Sequence, residues 1–63
     1  MDVEIFTDGK TTVKHVTENG KHVVRIENSK NDNAVFYRGD SINRAKKMFL
    51  DLINFIKLLK NQE

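Results

Sequence analysis

Two histidines, His15 and His22, are the side chains of this sequence best suited to bind a metal ion or to carry a proton. They flank the dipeptide Asn19-Gly20, and a hairpin that turns there would place them diagonally on neighbouring strands of one sheet face. A shared metal is conceivable in that arrangement, but the chain has no cysteine and no third histidine to complete the site. We therefore expect no metal ion, and we interpret both histidines as partly buried at the edge of the core.

Residues that could act as nucleophiles or as acid and base catalysts are present but dispersed. Ser41 is better explained as a helix cap, and Ser29 lies in no nucleophile-elbow pattern. The glycines stand far apart, which excludes a phosphate-binding loop. The carboxylates are scattered over turns and exposed positions: Asp2, Glu4, Asp8, Glu18, Glu27, Asp32, Asp40 and Asp51. A domain this small can hardly form the desolvated cleft that would shift the pKa values of two neighbouring carboxylates. We therefore expect no enzymatic activity, no catalytic residues and no cofactor.

The chain length and composition indicate one domain spanning residues 1–63. At 63 residues a single apolar core barely outweighs the entropy of the chain, so part of the stability could come from self-association. The net charge of +2 is well short of that of a dedicated nucleic-acid arm. The lack of cysteine suits a reducing compartment, and from the residues at the N-terminus we expect neither a signal peptide nor a membrane span. We expect a protein of the cytoplasm, in a bacterial host cell.

The most specific local signal is Asn19-Gly20, because this dipeptide tolerates the two positive φ angles of a type I′ hairpin turn. With these two as the loop, Glu18 pairs with Lys21, and successive pairs follow outward along both strands. One sheet face, which we assign to the core, then collects Val13, His15, Val24 and Ile26. The opposite face, which we assign to solvent or to a partner, collects Thr12, Lys14, Val16, Val23, Arg25 and Glu27.

Alternation of apolar and polar residues predicts a further strand at the N-terminus. We expect its residues Val3 and Ile5 on the core face. That register requires Thr7 to pair with Thr11 across a three-residue loop. The glycine of this loop, Gly9, stands in the middle instead of last, so a bulge or a slipped register near it is an alternative.

The fold class predicted from these patterns is α+β. An antiparallel sheet of three or four strands over about residues 2–38 precedes one long C-terminal amphipathic helix over about residues 41–60, which packs on one face of the sheet. Four strands are our preferred count, with the fourth at residues 34–37. Asp40 and Ser41 are both good helix caps. The apolar stripe of the helix consists of Ile42, Ala45, Phe49, Leu52, Ile56 and Leu59.

The helix carries more apolar residues than one face can bury. Met48 and Phe55 widen the stripe on one side and Ile53 on the other, whereas Leu50 and Leu58 lie beyond it. An edge of this kind could pair with the same edge of a second copy to form a homodimer. That edge comprises Leu50, Ile53 and Leu58, framed by Lys46, Asn54 and Lys57. The predicted anchors for a protein partner are Leu50, Phe55 and Leu58 on the helix, with Val16 and Val23 on the sheet.

A second candidate surface is the solvent-facing side of the sheet, where basic residues gather. Such a face can follow phosphates or enter the major groove of DNA. In this alternative the residues predicted to contact nucleic acid are Lys14, Lys21, Arg25 and Arg38. Nearby carboxylates dilute the positive field, so an ordinary solvated face is the interpretation we prefer.

Three segments of the chain resemble small phage-encoded inhibitors, including some anti-CRISPR proteins that block Cas nucleases. The likeness lies in the stretch Val23–Asn28, the strand Ala34–Tyr37 and the helix start Asp40–Ile42. It implies a small non-enzymatic protein of phage or mobile-element type. Such a protein binds a macromolecular partner, most often another protein, and can inhibit it by steric occlusion.

The order of elements also resembles that of AP2-type and integrase arm-binding domains. This likeness is carried by Gly20–Ile26 and by the aromatic strand Phe36–Gly39, which leads into a helix. Those domains read DNA with the exposed face of a three-stranded sheet. The resemblance implies DNA contacts at Lys14, Lys21, His22, Val23 and Arg25. DNA binding is therefore the alternative to protein binding.

Overall fold

The computed structural model describes residues 2–30 and 32–61, which form four antiparallel strands and one helix. The elements are β1 (Asp2–Asp8), β2 (Thr11–Glu18), β3 (Lys21–Asn28), β4 (Asn33–Gly39) and α1 (Ile42–Asn61). The strands lie in the sheet in chain order, β1-β2-β3-β4, and α1 covers one face. The predicted α+β class is confirmed, with the preferred count of four strands.

The hairpin between β2 and β3 has the predicted turn and register. Asn19 and Gly20 have φ angles of 53° and 78°, as a type I′ turn requires. Glu18 pairs with Lys21, and the register continues without a break along both strands. The predicted core face is thereby confirmed, because this register places the buried residues Val13, His15 and Val24 on one side.

The predicted register of β1 is wrong by one residue. Asp8 pairs with Thr11, so the turn has two loop residues, and Gly9 stands first with a φ of 62°, as in a type II′ turn. A one-residue slip moves every side chain to the other face. Val3 and Ile5, which we expected in the core, are therefore 39% and 51% exposed on the outer face of the sheet.

The inward-facing residues of β1 explain why this register is preferred. Phe6 pairs with Val13 and packs against the core, where it buries a larger apolar side chain than Ile5 could provide. Of the two alternatives near Gly9, the slipped register is the one observed, whereas the bulge lies at Val3, between the pairings of Asp2 and Glu4.

The core lies between the inner sheet face and the middle of α1. Its buried members are Val13, Val24, Ala45, Phe49, Leu52 and Ile53, with Phe6, Ile26, Tyr37, Met48 and Ile56 packed around them. Ile42 and Leu59, which we expected in the buried stripe, are 42% and 50% exposed. Both residues lie in the terminal turns of α1, outside the buried middle of the helix.

Both ends of α1 are fastened to the sheet. Ser41 is the N-cap, since its Oγ accepts a hydrogen bond from the backbone N–H of Arg44 at 3.2 Å. The Ser41 N–H in turn donates to Tyr37 Oη. At the other end Lys60 forms an ion pair with Asp8. In the part of the chain that the structure describes, no helix is long and apolar enough to cross a lipid bilayer.

Candidate protein-binding surface

The outward side of α1 carries a group of large apolar side chains that nothing covers. Leu50, Phe55, Leu58 and Leu59 are 57%, 56%, 60% and 50% exposed, and we call them the helix patch. Each residue of a helix turns by about 100° from the one before it, so these four project sideways and outward while Phe49 and Leu52 point at the sheet. The helix patch is thus a direct consequence of the surplus of apolar residues in the sequence of α1.

The helix patch lies in the half of α1 that carries few charges. Arg44, Lys46 and Lys47 stand in the first two turns, before the patch begins. Farther along, Lys60 is occupied by its ion pair with Asp8, and Lys57 Nζ lies 5.9 Å from the centre of the Phe6 ring. The other polar residues between Leu50 and Leu59 are Asp51 and Asn54. An apolar centre with few charges and a polar margin is the composition typical of a protein interface.

The residues predicted as helix anchors have the exposure that this role requires. Leu50, Phe55 and Leu58 are all more than half exposed, although their binding role stays a prediction. Ile53, which we placed on the same edge, is only 8% exposed and belongs to the core. Leu59 was missed as a surface residue because its spacing fits the buried stripe. It lies in the last turn of α1, beyond the buried residues in the middle of the helix.

Val16 and Val23, the predicted anchors on the sheet, are only 4% and 1% exposed, so the structure does not offer them to a partner. The residue that covers them is Arg25. It lies two positions beyond Val23 on the same face of β3, and its Nη1 reaches Glu18 Oε1 at 3.1 Å. Glu18 stands at the far side of the valine pair, so the Arg25 side chain must cross above both valines.

Arg25 belongs to a cluster of alternating charges on the outer face, which comprises Lys14, Glu18, Arg25 and Glu27 and which we call the ion-pair cluster. Lys14 Nζ lies 2.9 Å from Glu27 Oε2, and Arg25 Nε lies 3.6 Å from Glu27 Oε1. The hydrogen bond from Lys14, with the nearby positive charges, lowers the pKa of the Glu27 carboxyl below its ordinary 4.5, although burial opposes the shift. The four charges sum to zero.

The ion-pair cluster weakens the case for DNA binding by the sheet. Lys14 and Arg25 are neutralised within it, and Lys21 forms an ion pair with Asp40 at 2.7 Å. Arg38 is the only one of the four predicted contact residues for which the described residues provide no ion pair. A surface gains affinity for DNA by presenting free cations that displace counterions from phosphates. The outer face presents few of them.

Exposed apolar side chains also lie along both edge strands, each of which contains a bulge. In β4 the register shifts between the pairs Val24 with Tyr37 and Arg25 with Val35, so Phe36 is the extra residue. Val35 and Phe36 are 53% and 47% exposed. In β1 the bulge lies at Val3, which is 39% exposed. Bulged edge strands also resist pairing with the edge of another sheet.

Glu4, His15 and His22 form a chain of hydrogen bonds beside the core. His15 is fully buried, with its Nδ1 2.9 Å from Glu4 Oε2 and its Nε2 2.9 Å from His22 Nδ1. The prediction placed the histidines diagonally on one face, which the register confirms. We expected His15 to be only partly buried. Its complete burial is possible because Nδ1 has a hydrogen-bond partner in Glu4, a residue that the predicted register placed on the opposite face.

The hydrogen-bond chain fixes which ring nitrogens carry protons. An ionised carboxylate only accepts hydrogen bonds, so His15 Nδ1 must carry a proton that it donates to Glu4. Of the two facing nitrogens, His15 Nε2 and His22 Nδ1, one must donate and the other accept, so only one of them carries a proton. Two neutral rings therefore leave His22 Nε2 unprotonated.

Two clefts also indent the surface. A cleft of about 420 Å³ lies between turns at one end of the sheet, lined by polar residues such as Lys10, Asn28 and Asn33. Another, of about 380 Å³, lies beside α1 near Tyr37 and Met48. Over residues 2–30 and 32–61, no three His, Asp or Glu side chains converge closely enough to hold a metal ion.

Comparison with known proteins adds no functional assignment. No protein-family model matches the chain, and neither a curated protein nor a solved structure is similar to it.

Proposed function

We propose that this chain is a small binding protein without enzymatic activity, which uses the helix patch to dock on another protein and blocks it by steric occlusion. This is the mode of action of the small phage-encoded inhibitors that its strand and helix segments resemble. The proposal places the protein in the cytoplasm of a bacterial host, where it would meet its target.

The observation that carries the proposal is the exposure of four large apolar side chains on one stretch of helix. An exposed apolar patch on a soluble protein is often a site where a partner binds, and Phe55, Leu58 and Leu59 form the contiguous part of this one. The whole chain exposes 4634 Å², whereas monomeric proteins of 7.3 kDa expose about 4,200 Å² by the usual scaling with mass. The excess is comparable to the area of the helix patch.

The geometry of the helix patch also supports a protein as the partner. Phe55, Leu58 and Leu59 are spaced three and four residues apart, so they form one contiguous surface that can enter an apolar groove. Asn54 and Asn61 border this surface and can exchange hydrogen bonds with a partner at the rim. The hydrogen-bonded histidines give no support to an enzymatic function, because His15 is fully buried and offers no reactive atom to a substrate.

The test is affinity capture from a bacterial extract with immobilised protein, followed by binding measurements on the purified captured protein. Leu58→Lys and Phe55→Lys should each lower its affinity at least tenfold, because a charge would be buried in an apolar contact. Asn43→Lys introduces the same charge at an exposed position of α1 away from the patch, and should leave the affinity within twofold. Equal affinities for all three variants would contradict the proposal.

DNA binding by the outer face is the outcome to distinguish in the same experiment. A DNA reader would bind labelled duplex with an affinity that falls steeply as salt is raised, and Lys14→Glu or Arg25→Glu would abolish that binding. We expect no such binding, because both cations are already paired with carboxylates.

A further inference from the structure

We infer that the partner protein presents an acidic segment, with a carboxylate that enters the cleft between β4 and the first turns of α1 and an apolar side chain that packs on Phe55 and Leu59. The inference rests on the proposed function, because it takes another protein as the partner. It adds the chemical character of the segment that this partner presents and the residues that recognise it, Arg44 and Lys47.

The cleft beside the start of α1 combines cations with an apolar wall. It has a volume of about 380 Å³ and is lined by Tyr37, Arg44, Lys47, Met48 and Asp51. Two cationic side chains and a phenolic hydroxyl thus border one concave space, next to the thioether of a methionine. A concave surface that joins apolar side chains to a few polar groups is the usual form of a binding site.

The donor groups of this cleft lack acceptors of their own within the described part of the chain. Neither Arg44 nor Lys47 forms an ion pair with any residue in the ranges 2–30 and 32–61. The Tyr37 oxygen accepts a hydrogen bond from the Ser41 N–H, and its own proton has no acceptor among the described residues. The cleft therefore offers three donors, two of them charged, to an acceptor from another molecule.

The charge of the cleft fits a carboxylate. Arg44 and Lys47 contribute two positive charges and Asp51 one negative charge, so the lining has a net charge of +1 that one carboxylate neutralises. A carboxylate can also accept two parallel hydrogen bonds from a guanidinium group, which is a strong and geometrically specific contact. A nucleic-acid strand would bring further phosphates onto the apolar side chains beyond the cleft, where they would lose hydration without a partner. The charges therefore favour an acidic protein segment.

The cleft continues into the apolar part of the helix patch. Arg44, Met48, Phe55 and Leu59 lie within about 60° of one another around the axis of α1, because each residue of a helix turns by about 100°. Along the axis, the midpoint of Arg44 and Lys47 is about 17 Å from that of Phe55 and Leu59. A partner segment of about five extended residues spans this distance. One short segment can thus place a carboxylate in the cleft and a large apolar side chain on the helix patch.

Lys46 shows that the cations of α1 are not equivalent. It is about 100° from Lys47 and about 160° from Arg44 around the helix, and it does not line the cleft. It lies on the same flank as Lys57, whose ammonium group faces the Phe6 ring. Like the two cations of the cleft, Lys46 is exposed and contributes one charge to the long-range field. A difference between Lys46 and the cleft cations therefore reports contact inside the cleft and not net charge.

Selection from a library of displayed random peptides tests the chemistry of the partner segment. Peptides of about 15 residues selected on the native protein should be enriched in Asp and Glu together with large apolar residues. Selection on the double variant Arg44→Glu with Lys47→Glu should lose the acidic enrichment, whereas selection on Lys46→Glu should retain it. No acidic enrichment on the native protein, or the same enrichment on all three proteins, would overturn the inference.

Fluorescence anisotropy with the most enriched peptide measures the size of each effect. Arg44→Glu and Lys47→Glu should each weaken binding by about tenfold or more, because two carboxylates would then face each other. Lys46→Glu should change the affinity by less than about threefold, since a distant exposed charge is screened. The peptide with Asn and Gln in place of its Asp and Glu should also bind about tenfold more weakly. Equal losses for all three charge reversals would refute contact in the cleft, and circular dichroism verifies that each variant is folded.

The inference and the proposed function fail in different ways. Suppose that Phe55→Lys and Leu58→Lys weaken the binding of a captured protein while Arg44→Glu and Lys47→Glu do not. The acidic segment is then wrong and the proposed function stands. If labelled duplex DNA binds the native protein and Arg44→Glu abolishes that binding, the cleft recognises phosphates, and both proposals are overturned.

Discussion

His15 Nε2 lies 2.9 Å from His22 Nδ1, so the two histidines of the chain share a hydrogen bond although they are seven positions apart in the sequence. The far side of the buried ring is held by Glu4 at the same distance. This chain ties the edge strand β1 to the centre of the sheet through polar contacts, at a place where α1 contributes little cover to β1.

Removing the carboxylate of Glu4 should destabilise the fold. Glu4→Ala leaves the buried His15 Nδ1–H without an acceptor, which we expect to lower the free energy of unfolding by about 1 to 3 kcal/mol in urea titrations. Asp2→Ala, an exposed carboxylate on the same strand, should cost less than about 0.5 kcal/mol. Ring ¹⁵N chemical shifts give an independent check, because His15 should be protonated at Nδ1. Comparable losses in the two variants would argue against the hydrogen-bond chain.

Stability should decline in acid partly through Glu27. Its pKa in the folded protein is below the ordinary 4.5, chiefly because Lys14 donates a hydrogen bond to it. As the pH falls, the unfolded chain therefore takes up this proton first. The stabilisation is fully present above pH 4.5 and is lost as the pH falls through the folded-state pKa. Glu27→Gln should flatten the decline of the unfolding free energy between pH 5 and pH 3 relative to Asp51→Asn, and equal slopes would refute this assignment.

Arg25 should stabilise the sheet as a cover more than as a charge. Arg25→Ala exposes Val16 and Val23 and should lower the free energy of unfolding by about 1 to 2 kcal/mol. Arg25→Met keeps the length of the apolar stem and should recover more than half of that loss, because ion pairs at a partly exposed surface contribute little. If the two variants are equally destabilised, the ion pairs and not the cover are responsible.

The corrected register of β1 makes opposite predictions for neighbouring residues. Phe6→Ala removes a side chain packed against the core and should cost about 2 to 3 kcal/mol, less than for a fully buried phenylalanine. Ile5→Ala should cost under about 1 kcal/mol, because Ile5 is half exposed on the outer face. Thermal unfolding of both variants distinguishes the two registers, because the register predicted by alternation would make Ile5→Ala the more destabilising substitution.

The sequence was sufficient to predict the central hairpin because its turn has a conformational requirement that few dipeptides meet. Asn19 and Gly20 both adopt positive φ, and once the loop is known, every pair of β2 and β3 follows. The same reasoning failed for β1, because apolar side chains occupy both of its faces. Neither Ile5 nor Phe6 alone indicates which face is buried, and a Gly9-Lys10 turn is as compatible with the sequence as a longer loop.

The burial of Val16 and Val23 was beyond prediction for a different reason. Pairing rules for strands consider only side chains that lie directly opposite each other. By those rules Lys14 faces the like-charged Arg25. The structure relieves that repulsion through Glu18 and Glu27, which stand farther along the strands. Long side chains that lie flat across a sheet follow no short sequence spacing. The exposure of the helix residues Leu50, Phe55 and Leu58, by contrast, follows from helical periodicity and was predicted.

The most direct measurement of the central claim is methyl NMR of protein labelled at Leu, Ile and Val and titrated with a captured target protein. If the helix patch is the binding surface, the methyl signals of Leu50, Leu58 and Leu59 shift or broaden, while those of Ile5 and Val35 on the outer sheet face remain unchanged. Shifts confined to Ile5 and Val35, with the three leucines unaffected, would contradict the account and move the binding surface to the other side of the molecule.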